Sequence, residues 1–276
     1  MKLAYSSNAY MRQPLETAMN RIAALGYSGI ELMADVPHLW PPSTTDADIA
    51  LVRTNLDRLG LAVSNVNAFM MNAVEDFWHP SWIEPDEAYR QRRVEHTIDA
   101  LKLAAKLGAP SITTEPGGPL DPRMDRDRAL DLFVAGLEET LPIAEEVGVA
   151  LLVEPEPGLL IERASEFLEL AQRVDSAAFG LNFDIGHFYC VAEPLAETVQ
   201  RLAQHTRHYH IEDIAAHRVH EHLVPGRGAI DLGETLAAIR RTGYAGWLTV
   251  ELYPYLDDPD GAGREAFDYL GRLAQS

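Results

Sequence analysis

Cysteine is almost missing from this chain. The lone thiol, Cys190, cannot close an internal disulfide, which suits a reducing compartment. Basic residues are also scarce: 23 Lys and Arg face 42 Asp and Glu, for a net charge of −19. Such a surface repels phosphate backbones and anionic membranes, so neither nucleic acid nor a membrane is expected as a partner. Long apolar runs are lacking too. The best continuous stretch, Val147 to Val153, is far too short to span a bilayer. The opening residues MKLAYSSNAYMRQP have no signal-peptide apolar core, and the expectation is a cytoplasmic protein. No glycine-rich dinucleotide fingerprint follows the first predicted strand.

What is present is alternation. Five times an apolar helix end meets a glycine and a strand begins within a few residues, at Gly26, Gly60, Gly108, Gly148 and Gly243. Helices often end on a left-handed residue, which glycine adopts cheaply. Before the first of these, Leu15, Ala18, Met19, Ile22 and Leu25 repeat at helical spacing. Short apolar segments predict eight strands: Leu3–Ser7, Gly29–Asp35, Ala62–Phe69, Ser111–Glu115, Ala150–Glu154, Gly180–Asp184, His208–Glu212 and Leu248–Leu252. Eight strand–helix units in 276 residues predict a parallel sheet closed into a single (β/α)₈ barrel, one domain over residues 1–276. Length alone would also accommodate two domains of about 140 residues. One connection is long and aromatic, Phe69 to Pro85. A lid over a small ligand and a contact between subunits of a homo-oligomer are its two readings.

The chemistry-bearing residues gather at the ends of the last four strands. ALLVE ends at Glu154, GLNFD at Asp184, RHYHIED presents His210, and WLTVE ends at Glu251. In a parallel barrel these ends share one rim, the rim where such barrels carry active sites. Period-two alternation turns the four side chains inward and sends Val153, Phe183, Ile211 and Val250 outward. Three carboxylates and one imidazole form an oxygen-rich set suited to one divalent cation. Mn²⁺, Mg²⁺ or Co²⁺ comes first and Zn²⁺ is a further candidate. Burying such carboxylates without a cation costs several kcal/mol each.

The motifs VEPEP, NFDIGH, HIED and TVELYP, in this order, resemble the xylose isomerase-like barrels. That superfamily holds ketose 3-epimerases, hydroxypyruvate isomerase, inosose dehydratase and endonuclease IV-type DNA-repair enzymes. The resemblance implies that Glu154, Asp184, His210 and Glu251 bind the metal and that His187 contacts substrate oxygens. It also implies that Asp213 orients the His210 imidazole. Where ketose epimerases carry a further glutamate and an arginine, this chain has Leu160 and Ala216; Glu156, with Arg218 or Arg227, is the nearest replacement. Glu115 ends the fourth predicted strand and could reach the pocket, and Glu31 could do the same from the second. His220 and His222 suggest a second metal or, with more weight, a solvated loop.

The expected activity is isomerisation or epimerisation of a small sugar, keto-sugar or cyclitol through an enediolate held at the metal. Glu154 and Glu251 would exchange the proton, and His187 would hold a substrate oxygen. An inosose-type dehydratase is the alternative, with a non-catalytic sugar-binding barrel behind it. DNA repair is disfavoured because GIELMAD and LAVSNVNAF contain no histidine.

Overall fold

The computed structural model describes residues 1–275. Eight parallel strands pair in sequence order and close, β1 against β8, into a barrel. The strands are β1 (Lys2–Ser6), β2 (Gly29–Met33), β3 (Ala62–Asn67), β4 (Ser111–Thr114), β5 (Ala150–Val153), β6 (Phe179–Asp184), β7 (Thr206–Ile211) and β8 (Trp247–Val250). The helices around them are α1 (Leu15–Leu25), α2 (Asp46–Leu59), α3 (Glu87–Leu107), α4 (Arg126–Val147), α5 (Ala164–Arg173), α6 (Ile185–Cys190), α7 (Leu195–Leu202), α8 (Leu232–Arg241) and α9 (Pro259–Gln275). The expected single (β/α)₈ barrel is what the chain forms. Several strands stop one or two residues short of their predicted ends, so Glu115, Glu154 and Glu251 stand just beyond the ladder rather than in it. Among the described residues, no helix is long and apolar enough to cross a membrane.

Local chemistry explains the alternation. Gly26, Gly60, Gly108 and Gly148 cap α1 to α4 in left-handed conformation, with φ of 100, 66, 73 and 69°, as the sequence pattern required. α2 starts at Thr45, whose side chain accepts from the Asp48 N–H while Asp48 reaches back to the Thr45 N–H, a reciprocal pairing that satisfies two otherwise unbonded donors. On α1, Ala18, Met19, Ile22 and Leu25 are buried as the spacing predicts. Outward strand residues Val153, Phe183, Ile211 and Val250 are wholly buried beneath the helices.

The barrel interior is unusually polar. Ser64 and Thr249 bond across it at 3.0 Å, and Asn65 donates to Thr113 at 2.7 Å. The register of β2 against β3 slips between Ile30 and Glu31, and that of β6 against β7 between Leu181 and Asn182. Such irregularities re-aim side chains, and here both immediately precede an inward polar residue.

Candidate metal centre

The four strand-end residues converge. Asp184 and His210 are direct ladder partners on β6 and β7. Glu251 follows β8, where its N–H reaches the Ile211 carbonyl, and Glu154 follows β5, bonded likewise to the Thr114 carbonyl. One donor atom from each of the four lies within 4.8 Å of the others. The His210 Nδ1 is 2.7 Å from Glu154 Oε1, 3.7 Å from Glu251 Oε2 and 4.0 Å from Asp184 Oδ2. All four residues are buried.

The donor set fits a divalent cation on its own terms. Three carboxylates share a buried space with one imidazole, and Asp184 Oδ2 has no hydrogen-bond partner there. Burial alone would lower the His210 pKa, yet Glu154, Glu31 and Glu251 push it well above its ordinary value. Burial holds Glu251 well above the carboxylate range. The imidazole set among these acids offsets only part of their charge, and a cation would relieve the remainder.

The imidazole is oriented by Glu31, not by Asp213. Glu31 Oε2 lies 2.7 Å from His210 Nε2, which leaves Nδ1 facing the cluster. Ser6 and Asn65 each donate to Glu31, at 2.7 and 2.9 Å. Burial opposes ionisation of Glu31, but His210 and His208 bring it down to about 2. Asp213, expected beside the histidine, instead accepts from the backbone N–H groups of Ile214, Gly226 and Ile230. It pins the loop before α8, because its side chain leaves β7 beyond the inward face.

Above the cluster lies a cavity of about 360 Å³, lined by Glu154, Glu251, Glu156, His187 and His220, with Asn67, Phe69, Met70, Phe77, Trp78 and Tyr253. His187 Nδ1 donates to the Pro155 carbonyl at 2.9 Å, which leaves Nε2 for a further partner; burial lowers its pKa, but Asp184, Glu156 and Glu154 carry it above the ordinary imidazole value. Burial lifts the Glu156 carboxyl to about 7. His220 and His222 are not a solvated loop. His222 is buried with Nδ1 bonded to the Glu251 carbonyl at 3.0 Å, and its Nε2 is 3.1 Å from that of His220. Their outward-looking sequence context hides the fold of the segment back over the rim, where donor atoms of His187, His220 and His222 also lie within 4.8 Å of one another.

Three residues expected at the pocket are displaced. Arg227 pairs with Glu265 on α9 through Nε at 2.7 Å, half exposed and away from the cavity lining. Arg218 likewise lies over the Tyr189 ring, 4.0 Å from its centroid. Glu115 is fully buried beneath the long loop, not in the cavity: it accepts from the Trp82 N–H at 3.2 Å and sits 3.7 Å from Arg93. Arg93, also fully buried, donates to the carbonyls of Ala68, Phe69 and Pro80 at 3.1, 2.7 and 2.9 Å, tying together the two stems of that loop. Replacing Arg93 by Met should lower unfolding stability by about 3 kcal/mol, because Glu115 and three carbonyls lose their buried partner. A urea midpoint unchanged from wild type would contradict the clamp.

Burial also pushes the Glu115 carboxyl up to about 8, against the pull of Arg93. The folded chain therefore keeps a proton that the unfolded chain sheds near its ordinary value of about 4.3. The stability this group contributes is present below that value and drains away as pH rises through about 8. Glu115→Gln should flatten that part of the melting-temperature profile between pH 5 and 9; parallel profiles for the two proteins would contradict the assignment.

Three further residues of the site, His208, Glu212 and Asn8, were not singled out in the sequence. His208, His210 and Glu212 stand two apart on β7 and its extension, so strict alternation puts all three on the inward face. Glu212 Oε1 accepts from the Gly186 N–H at 2.5 Å. A Cβ at Gly186 would lie 2.1 Å from that oxygen, so only glycine fits there. Burial and Asp184 push Glu212 well above the carboxylate range. Asn8 donates to Glu251 Oε1 at 2.9 Å.

Comparison with known proteins gives these features a setting. The fructoselysine 3-epimerase of Escherichia coli O157:H7 is 26% identical over 99% of this chain and 98% of its own length. The inosose dehydratase of Clostridium beijerinckii is 21% identical over 92% of this chain and 85% of its own. In fold, the IOLI protein, solved with a binding zinc atom, matches with a TM-score of 0.83 at 19% identity, covering 100% of this chain and 98% of that one. The model of the family described as xylose isomerase-like TIM barrel matches residues 19–273. With nearly its whole length so matched, the chain belongs to the xylose isomerase-like TIM barrel family.

Proposed function

We propose that this barrel is a divalent-metal-dependent isomerase or epimerase of a small keto-sugar or cyclitol. The observation that carries the reading is the buried Glu154–Asp184–His210–Glu251 cluster opening onto a cavity with acidic walls. Full-length similarity to a sugar epimerase and near-full similarity to an inosose dehydratase support the substrate class.

Glu154, Asp184, His210 and Glu251 would hold the ion, which when bound supplies Lewis-acid polarisation of a substrate carbonyl. The chain's own groups do the rest. Glu31, through Nε2, fixes which face of the His210 ring meets the cluster. Glu154 and Glu251 both line the cavity, so one carboxylate can take the proton from the carbon beside the carbonyl and the other can return it. Asn8 holds Oε1 of Glu251 and leaves Oε2 turned toward the cluster. His187 Nε2 can hold a substrate oxygen, since its Nδ1 is committed to Pro155. Phe69, Met70 and Trp78 shield the reacting carbon from bulk water.

The test is a screen of the Mn²⁺-loaded protein against ketoses, inososes and hydroxypyruvate, read by mass spectrometry. An isomer at unchanged mass is the expected product. Loss of water would make the enzyme a lyase of the inosose dehydratase kind, and no turnover on any of them would overturn the reading.

A further inference from the structure

We infer that the substrate is an unphosphorylated carbonyl sugar bearing an apolar substituent, and that the substituent sits in a second chamber beside the first. The inference rests on the proposal that the inner cavity is where the carbonyl sugar reacts.

The second chamber, about 390 Å³, adjoins the first, with Met70, Phe77 and Tyr253 lining both. Either volume already reaches the low end of what a drug-sized ligand fills, so the outer chamber is room beyond what the reacting sugar needs. Its remaining apolar walls are Met11, Val36, Pro37 and Leu256, and Asn8 and Asn72 supply the only amides. A hydroxyl-rich sugar end would leave most of its donors unpaired there, whereas an alkyl or aryl group would not.

Charge argues against a phosphate. Neither chamber has a Lys or Arg in its lining, and the inner one presents Glu154, Glu156 and Glu251. Phosphate recognition calls for cationic forks or converging N–H groups.

Exposure gives an independent observation. Among the described residues, six large apolar side chains are left more than a third exposed. Three of them, Val36, Phe77 and Trp78, at 38, 41 and 38%, line these two chambers. An apolar patch gathered in one place marks a ligand surface more often than scattered residues do. The patch is also held in position: Asp76 accepts from the N–H groups of Trp78 and His79 at 2.8 Å, and Asp35 accepts from the backbone and side chain of Asn72 at 2.9 and 2.8 Å. A backbone fixed in this way has little freedom left to lose when a ligand covers the loop.

The experiment compares three probes on the Mn²⁺-loaded full chain: a ketohexose, its phosphate monoester, and the same ketohexose with a phenyl ether remote from the carbonyl. Calorimetry gives affinity, and chromatographic detection of product gives turnover. The phenyl ether should bind at least about tenfold more tightly than the parent, the scale that one methylene commands in an apolar pocket, and the phosphate more weakly than the parent. Val36→Asp, at an exposed wall of the outer chamber only, should cut the ether-to-parent affinity ratio by about tenfold, and Phe77→Ala should reduce it too. A ratio of one or less, preference for the phosphate, no binding of any probe, or a ratio untouched by Val36→Asp would each overturn the inference. So would sedimentation showing a dimer that Val36→Asp dissociates, because the mouth would then be covered by a second copy. A high ratio with no product formed from any probe would leave the substituent chamber standing and count against the isomerase reading alone.

Discussion

His210→Ala should abolish the Mn²⁺-dependent part of the protein's thermal stability, and Asp184→Asn should weaken it. Wild-type protein is expected to hold about one divalent ion per chain, since four donors form one closed cluster. An ion present at about a thousand times its dissociation constant adds about 4 kcal/mol to the folded state. For a chain of this size that corresponds to roughly 10 °C in melting temperature. His210→Ala also removes the partner of Glu154 and Glu31 at 2.7 Å on either side, so the variant should melt lower even without metal. The decisive quantity is therefore the difference between Mn²⁺-loaded and chelator-treated melts. It should be large in wild type and near zero in His210→Ala. Elemental analysis that finds no metal in wild type, with no thermal shift on adding Mn²⁺, would remove the metal from the site.

How much of this could be read from the chain depends on the distance between partners in sequence. The helix-ending glycines and the strand after each are local signals, and they predict the barrel. Glu154, Asp184, His210 and Glu251 were legible as a group because parallel closure puts consecutive strand ends side by side. Glu31 was visible only as one more strand acid. Its pairing with His210 spans 179 positions and crosses the barrel, and nothing near either residue announces it. The resemblance gave Asp213 as the orienting carboxylate, but three residues along an extended strand turn a side chain to the other face. Glu212, two after His210, was on the correct face and could have been found by alternation alone. Arg227 and Glu115 failed for the opposite reason. Each has the right charge on a top-face segment, but a nearer partner, Glu265 or Arg93, takes it up. The aromatic loop divides similarly: Trp82 packs against Phe133 at 5.5 Å between ring centroids, fully buried, while Phe77 and Trp78 stay at the mouth.

If a cavity glutamate moves the proton, turnover in D₂O should place deuterium on the carbon next to the carbonyl. Glu251→Gln should lower the rate by about 10² or more, the scale of a lost acid–base group. The substitution keeps the shape of the side chain and removes its basic oxygen. Asn8, which now donates to Oε1, could still donate to an amide oxygen, so the side chain should hold its place. Because Glu251 is also a proposed ligand, metal content has to be measured beside the rate, and the comparison is valid only at equal occupancy. Glu154→Gln, tested in the same way, divides the two roles: the carboxylate that removes the proton should lose exchange and turnover together, whereas the one that returns it from the opposite side should retain deuterium exchange into unreacted substrate while losing product. A direct hydride shift would carry the hydrogen across without solvent exchange, giving a fully active enzyme and a product free of deuterium. Full activity in Glu251→Gln at full metal occupancy would take Glu251 out of proton transfer and leave it as a ligand only.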